Sequence, residues 1–97
     1  MKTITVQLGN SDDKLSQSKW ADFVREIKAI VTHSSGCAEV HFSGGSSVES
    51  SWQNYCVVLN FSGSDAELEH MFRLIKACRS RFNQDSVAVT VGETKFV

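Results

Sequence analysis

The run "GNSDDKLSQSKW", residues 9–20, holds the densest chemistry of this chain. Asn10, Ser11, Asp12, Asp13 and Lys14 place an amide, a hydroxyl, two carboxylates and an ammonium ahead of Trp20, and Gly9 lets another group approach the backbone closely. Backbone N–H groups at a helix start can hold an anion or a polar ligand. The same residue types also build turns for purely backbone reasons. Ser16 already caps the helix that follows, however, so Ser11, Asp12 and Asp13 are not needed as caps, and the run is a candidate half-site.

Other constellations are weaker. Asp12 and Asp13, with Asp85 across a gap, could hold a hard cation, but the calcium-loop pattern is missing and adjacent acids usually face water. His41 and Cys56, with Glu39 behind them, could make a base and a thiolate nucleophile; a solvated strand face is the plainer account. His33, His41, His70, Cys37, Cys56 and Cys78 show no zinc-ligand spacing. No glycine-rich nucleotide motif is present, so neither a metal nor a cofactor is expected. Arg73, Lys76, Arg79 and Arg81 form a modest basic strip, read as a solvated helix face, with contact to an acidic partner or phosphate as the alternative.

Strict alternation in "TITVQL" puts Ile4, Val6 and Leu8 on one strand face. Trp20, Phe23, Val24, Ile27, Ile30 and Val31 make a helical stripe, with Ser16 as N-cap and Leu15 stapled to Trp20. Residues 37–43 alternate again, with Ala38, Val40 and Phe42 inward. After "GGSSVESS" comes "WQNYCVVLNF", with Tyr55, Val57, Leu59 and Phe61 inward. Ser64 and Glu67 form a capping box for a second helix with the stripe Leu68, Met71, Phe72, Ile75, Cys78 and Phe82. "NQDS" ends it, and Val87, Val89 and Val91 face inward from a last strand, where Gly92 marks a bulge or turn.

The order β-α-β-β-α-β with right-handed crossovers predicts a ferredoxin-like α+β sandwich, a four-stranded antiparallel sheet of order 4-1-3-2 with two helices on one face. That topology gathers three loops at one end, called here the upper end: residues 9–16, 43–52 and 82–86. The candidate binding residues Asn10, Ser11, Asp12, Asp13, Lys14, Trp52, Asn54, Gln84 and Asp85 fall there or beside it. The opposite, open sheet face would carry Thr3, Thr5, Gln7, Glu39, His41, Asn54, Cys56, Val58, Ala88 and Thr90. It offers no stacking aromatic of the kind RNA-binding sheets use, and suits solvent or a second copy.

At 97 residues the whole is expected to be one domain. A net charge of −1 argues against general nucleic-acid binding and against an acidic DNA mimic. The N-terminus does not read as a signal peptide, and no apolar run approaches the roughly 20 residues needed to span a bilayer. An odd set of three cysteines fits reduced thiols, so a cytoplasmic protein is expected.

Five stretches, "GNSDDKL", Trp20 with Phe23 and Val24, Trp52 to Cys56, Gln84 to Ala88 and "GET-F", resemble small uncharacterised proteins of actinobacterial and bacteriophage genomes. The resemblance brings no activity. It implies a phage or mobile-element origin, which is often that of inhibitors or sequestering proteins aimed at host systems, anti-CRISPR proteins among them. The expectation is a non-enzymatic binding module acting on a host (defence) protein or a small polar ligand through the upper loops. The alternatives are a homodimer joined by the open sheet face, and a small enzyme using Cys56 and His41 or the acidic loop.

Overall fold

A computed structural model describes residues 1–10, 15–33, 38–46 and 53–97. The elements are β1 (Lys2–Gly9), α1 (Gln17–His33), β2 (Ala38–Gly45), β3 (Asn54–Phe61), α2 (Asp65–Arg81) and β4 (Ala88–Glu93). The strands form one sheet in the order β2-β3-β1-β4, each neighbouring pair antiparallel. This is the ferredoxin-like sandwich expected from the alternation of patterns.

Burial follows the two periods. Ile4, Val6 and Leu8 from β1 and Val57, Leu59 and Phe61 from β3 meet Phe23, Ile27 and Val31 of α1 and Leu68, Met71, Ile75 and Cys78 of α2 in one core. Each such side chain contributes about 1.5–3 kcal/mol on leaving water. Phe23 also packs its ring against Phe82, with centroids 5.1 Å apart.

The helix ends use the expected chemistry. The Lys19 N–H donates to Ser16 Oγ (3.3 Å), and Leu15 and Trp20 are both buried. At α2 the Glu67 N–H donates to Ser64 Oγ while the Ser64 N–H donates to Glu67 Oε1. The far end of α2 closes on Asn83 at φ 56°, a left-handed residue that asparagine tolerates. There the Asn83 and Gln84 N–H groups donate to the carbonyls of Ser80 and Arg79.

Three expectations about the strands are corrected. In β2 the register slips between Val40 and Phe42, so Val40 pairs with Leu59 but Phe42 pairs with Val58. A bulge of one residue turns the strand over, and Phe42, expected in the core, stands on the open face at 57% exposure. Gly44 and Gly45 belong to β2 rather than to the loop, and only Gly can stand at position 45, because a Cβ there would lie 2.0 Å from the Asn54 carbonyl oxygen. Gly92 is an ordinary strand residue in β4, and Val91 on the inner side of that edge stays 42% exposed.

Candidate functional site

β1 and β2 end, and β3 and β4 begin, at the upper end of the sheet, as the strand directions require. What holds this end together is a set of buried amides. Asn10 is 3% exposed. Its Oδ1 accepts from the Leu15 N–H (3.0 Å), and its Nδ2 donates to the Leu15 carbonyl (3.0 Å) and to Gln53 Oε1 (2.9 Å). The Asn10 N–H donates to the Gln53 carbonyl (2.9 Å), and Gln53 Nε2 donates to Gln17 Oε1 (2.7 Å). The end of β1, the start of α1 and the start of β3 are thereby tied at one point. Burying these amides would cost stability if they were unpaired; paired, they fix the bases from which residues 11–14 and 47–52 emerge.

Asn10 was expected to face a ligand. Its side chain is instead spent on the clamp, so its contribution to a site is positional. Gln84 is likewise buried, at 6% exposure; its N–H and carbonyl close the end of α2, the carbonyl accepting from the Arg79 guanidinium (3.1 Å), and its Nε2 donates to the Phe82 carbonyl. Asn54 and Asp85 are exposed at the same end. Ser11, Asp12, Asp13, Lys14 and Trp52 lie outside the described residues. Gln53 went unnoticed in the sequence, although parity could have found it: it continues the inward row Tyr55, Val57, Leu59, Phe61 backwards by one step.

Beside the clamp, Gln7, Leu8, Gly9, Gln84, Asp85, Ser86 and Ala88 line an open cleft of about 380 Å³ between β1 and the approach to β4. Gln7, Asp85 and Ser86 give it exposed polar side chains. Its volume lies in the usual range for small-molecule sites, about 300–1,000 Å³.

The Cys56 and His41 constellation does not assemble as expected. Cys56 pairs with Gly44, and His41 falls at the bulge, so the two are not cross-strand neighbours. Among the described residues no three His, Cys, Asp or Glu side chains cluster as metal ligands would. Cys78 is fully buried between the helices, while Cys56 is partly accessible. Burial, and donation to Glu26 Oε2 (3.4 Å), push the Cys78 thiol up to about 12. The same Glu26 oxygen accepts from Arg81 (2.8 Å), whose hydrogen bond lowers the Glu26 carboxyl from its ordinary value. This cluster joins α1 to α2. In the basic strip, Arg79 and Arg81 are engaged, while Arg73 and Lys76 have no side-chain partner among the described residues.

The open face, read across the strands, runs Glu39, Asn60, Thr3, Gly92; then Phe42, Val58, Thr5, Thr90; then Gly44, Cys56, Gln7, Ala88. Beyond Glu39 these rows carry no charge. A Cβ at Gly44 would meet the Phe42 ring at 3.1 Å, so the ring lies along the strand over the glycine. The open face therefore carries an aromatic side chain, Phe42. No helix among the described residues is long and apolar enough to cross a membrane.

No family model matches the chain. No curated protein matches it either. Solved structures are similar in fold. A de novo designed protein, Foldit4, superposes with TM-score 0.68 at 13% identity, covering 97% of this chain and 98% of that one. A protein named as a candidate antibiotic biosynthesis monooxygenase from Deinococcus radiodurans gives 0.64 at 13% identity, covering 100% and 95%. A phage SAM lyase in complex with S-methyl-5'-thioadenosine gives 0.54 at 20% identity, covering 95% and 80%. At such identities the likeness is one of fold, and a fold hosts many functions.

Proposed function

We propose that this protein is a non-enzymatic binding module that takes a small polar ligand at its upper end. The observation that carries the reading is the Asn10–Gln53 clamp, which uses two buried side-chain amides to fix Asn10, Leu15 and Gln53, the described residues that border the polar stretches 11–14 and 47–52, near a ligand-sized cleft. Preorganised loop bases reduce the ordering cost of binding. The cleft's amide, carboxylate and hydroxyl groups suit a ligand rich in hydrogen-bonding groups. The phage protein of similar fold was solved with S-methyl-5'-thioadenosine, which makes that nucleoside thioether the first probe.

The test is calorimetric titration of S-methyl-5'-thioadenosine into the protein and two variants. Asp12→Asn combined with Asp13→Asn should weaken binding with little change in melting temperature. Ser16→Ala should cost about 1 kcal/mol of stability and leave affinity unchanged. Equal binding by the double variant and the parent would remove the acidic run from the site.

A second reading is favoured by the open face, whose charge-poor centre around the exposed Phe42 resembles the core of an interface more than a solvated surface. On that reading the face receives another protein, a host defence component or a second copy. The resemblance to phage proteins supports a phage-encoded inhibitor working in the host cytoplasm. Serine in place of Phe42 would then abolish association and leave ligand binding at the upper end unchanged.

A further inference from the structure

β4 is an uncovered edge. Among the described residues nothing pairs with its outer side, and over Ala88–Glu93 it carries no proline, lysine or bulge, three of the devices that oppose edge pairing, its one charge being Glu93 at the strand's end. Beside this edge, Val87, Val89 and Val91 face Phe72 and Ile75 of α2 across a groove of about 320 Å³, with Lys76 and Arg79 also lining it. We infer that β4 pairs with the β4 of a second copy about a two-fold axis, and that each copy's C-terminal tail thereby reaches the upper end of the other.

The strand is complementary to itself. Opposed residues of an antiparallel pair share a sheet face, so inner residues must meet inner residues. An axis at Thr90 sets Val89 opposite Val91 of the second copy, which covers the exposed Val91 from both sides. It sets Val87 opposite Glu93 of the second copy, bringing a carboxylate to the end of the groove where Arg79 stands. One step further it brings Lys95 of the second copy, which has no partner among the described residues, alongside Asp85. Phe96, 81% exposed in the single chain, then lies against the cleft that holds Gln84.

The tail is already aligned for this. The Thr94 N–H donates to the Met1 carbonyl (3.2 Å) and the Thr94 and Thr3 hydroxyls are hydrogen-bonded, so the chain leaves β4 still extended beside β1. Phe72, Ile75, Lys76 and Arg79 of α2 stand beside β4 across the groove, so the two copies of α2 would flank the paired strands on one face. The arrangement has one unfavourable element, since Lys76 meets its own copy across the axis. The pairing stands on β4 alone; only the tail's role at the cleft rests on the proposed upper-end site.

Sedimentation velocity over a concentration series, on the full chain, tests the pairing. The parent should dimerise. Val91→Lys should raise the dimer dissociation constant about tenfold or more, with circular dichroism and melting showing a folded monomer. Lys76→Ala should tighten the dimer, whereas an acidic peptide as the true occupant of the groove would need that lysine. Mild oxidation of Thr90→Cys should give a disulfide-linked dimer. A parent that stays monomeric at about 0.5 mM overturns the proposal. So does a dimer that survives Val91→Lys and is lost on Phe42→Ser, which would move the interface to the open face. Ligand binding at the upper end is read separately by calorimetry, so failure of one reading does not imply failure of the other.

Discussion

The two outer edges of the sheet are built in opposite ways. β2 bulges at His41, turns Phe42 out and places Gly45 hard against the β3 backbone, with α1 packed beside it. β4 runs in regular register, and at its Gly92 a Cβ would meet nothing within 4 Å. An irregular edge is a poor template for another strand, and a regular one is a good template. The difference teaches that the two edges are suited to different tasks, one to closing the fold and one to pairing.

Glycine substitutions probe this contrast most strongly. Gly45→Ala should destabilise the protein by about 3 kcal/mol, because the new Cβ would meet backbone that cannot move aside cheaply. At about 4–8 °C per kcal/mol for a domain of this size, thermal melting should show it clearly. If Gly45→Ala melts like the parent, the tight β2 edge described here is wrong. Asn10→Ala comes next, at about 2–3 kcal/mol, since it removes the donor to the buried Gln53 Oε1 and the side-chain partners of the Leu15 N–H and carbonyl. Chemical denaturation at constant m-value would measure it.

On the other edge the sign reverses. Gly92→Ala should stabilise by about 0.5 kcal/mol, because alanine loses less backbone entropy and fits the open space. A loss at Gly92 comparable to that at Gly45 would erase the distinction between the edges. The smallest effect expected is electrostatic. Arg81 holds the Glu26 carboxyl below its ordinary value, so the pair stabilises the fold above the unfolded-state carboxylate pKa. That increment is lost as pH falls through the lower, folded value. Both side chains are about half exposed, so solvent screening keeps the effect small. Arg81→Gln should flatten this part of the stability–pH curve.

The element order, the sheet order and most of the core were legible because apolar periods of two and of 3.6 run almost unbroken through the chain. In β2 the alternation Ala38, Val40, Phe42 is what a regular strand would show, so the sequence does not reveal the slip between Val40 and Phe42. The bulge is imposed by tertiary pairing with β3, which periodicity does not encode. Val91 looked like a core residue by the same parity, yet the inner side of an edge strand need not be covered. At the upper end the acidic run and the polar loops were visible as residue types, while the roles of Asn10 and Gln84 were not. Their amides read as ligand-facing in sequence, and only the folded chain places Gln53 and Leu15 around one and the end of α2 around the other.

Mapping amide chemical shifts while titrating S-methyl-5'-thioadenosine tests the central claim, a preorganised binding site at the upper end, most directly. The account predicts that perturbed amides cluster at Gln7, Gly9, Asp85 and Ser86 and at the bases of the two loops, with β2 and the open face unmoved. No perturbation up to about 5 mM, or perturbations centred on Phe42 and Val58, would contradict it.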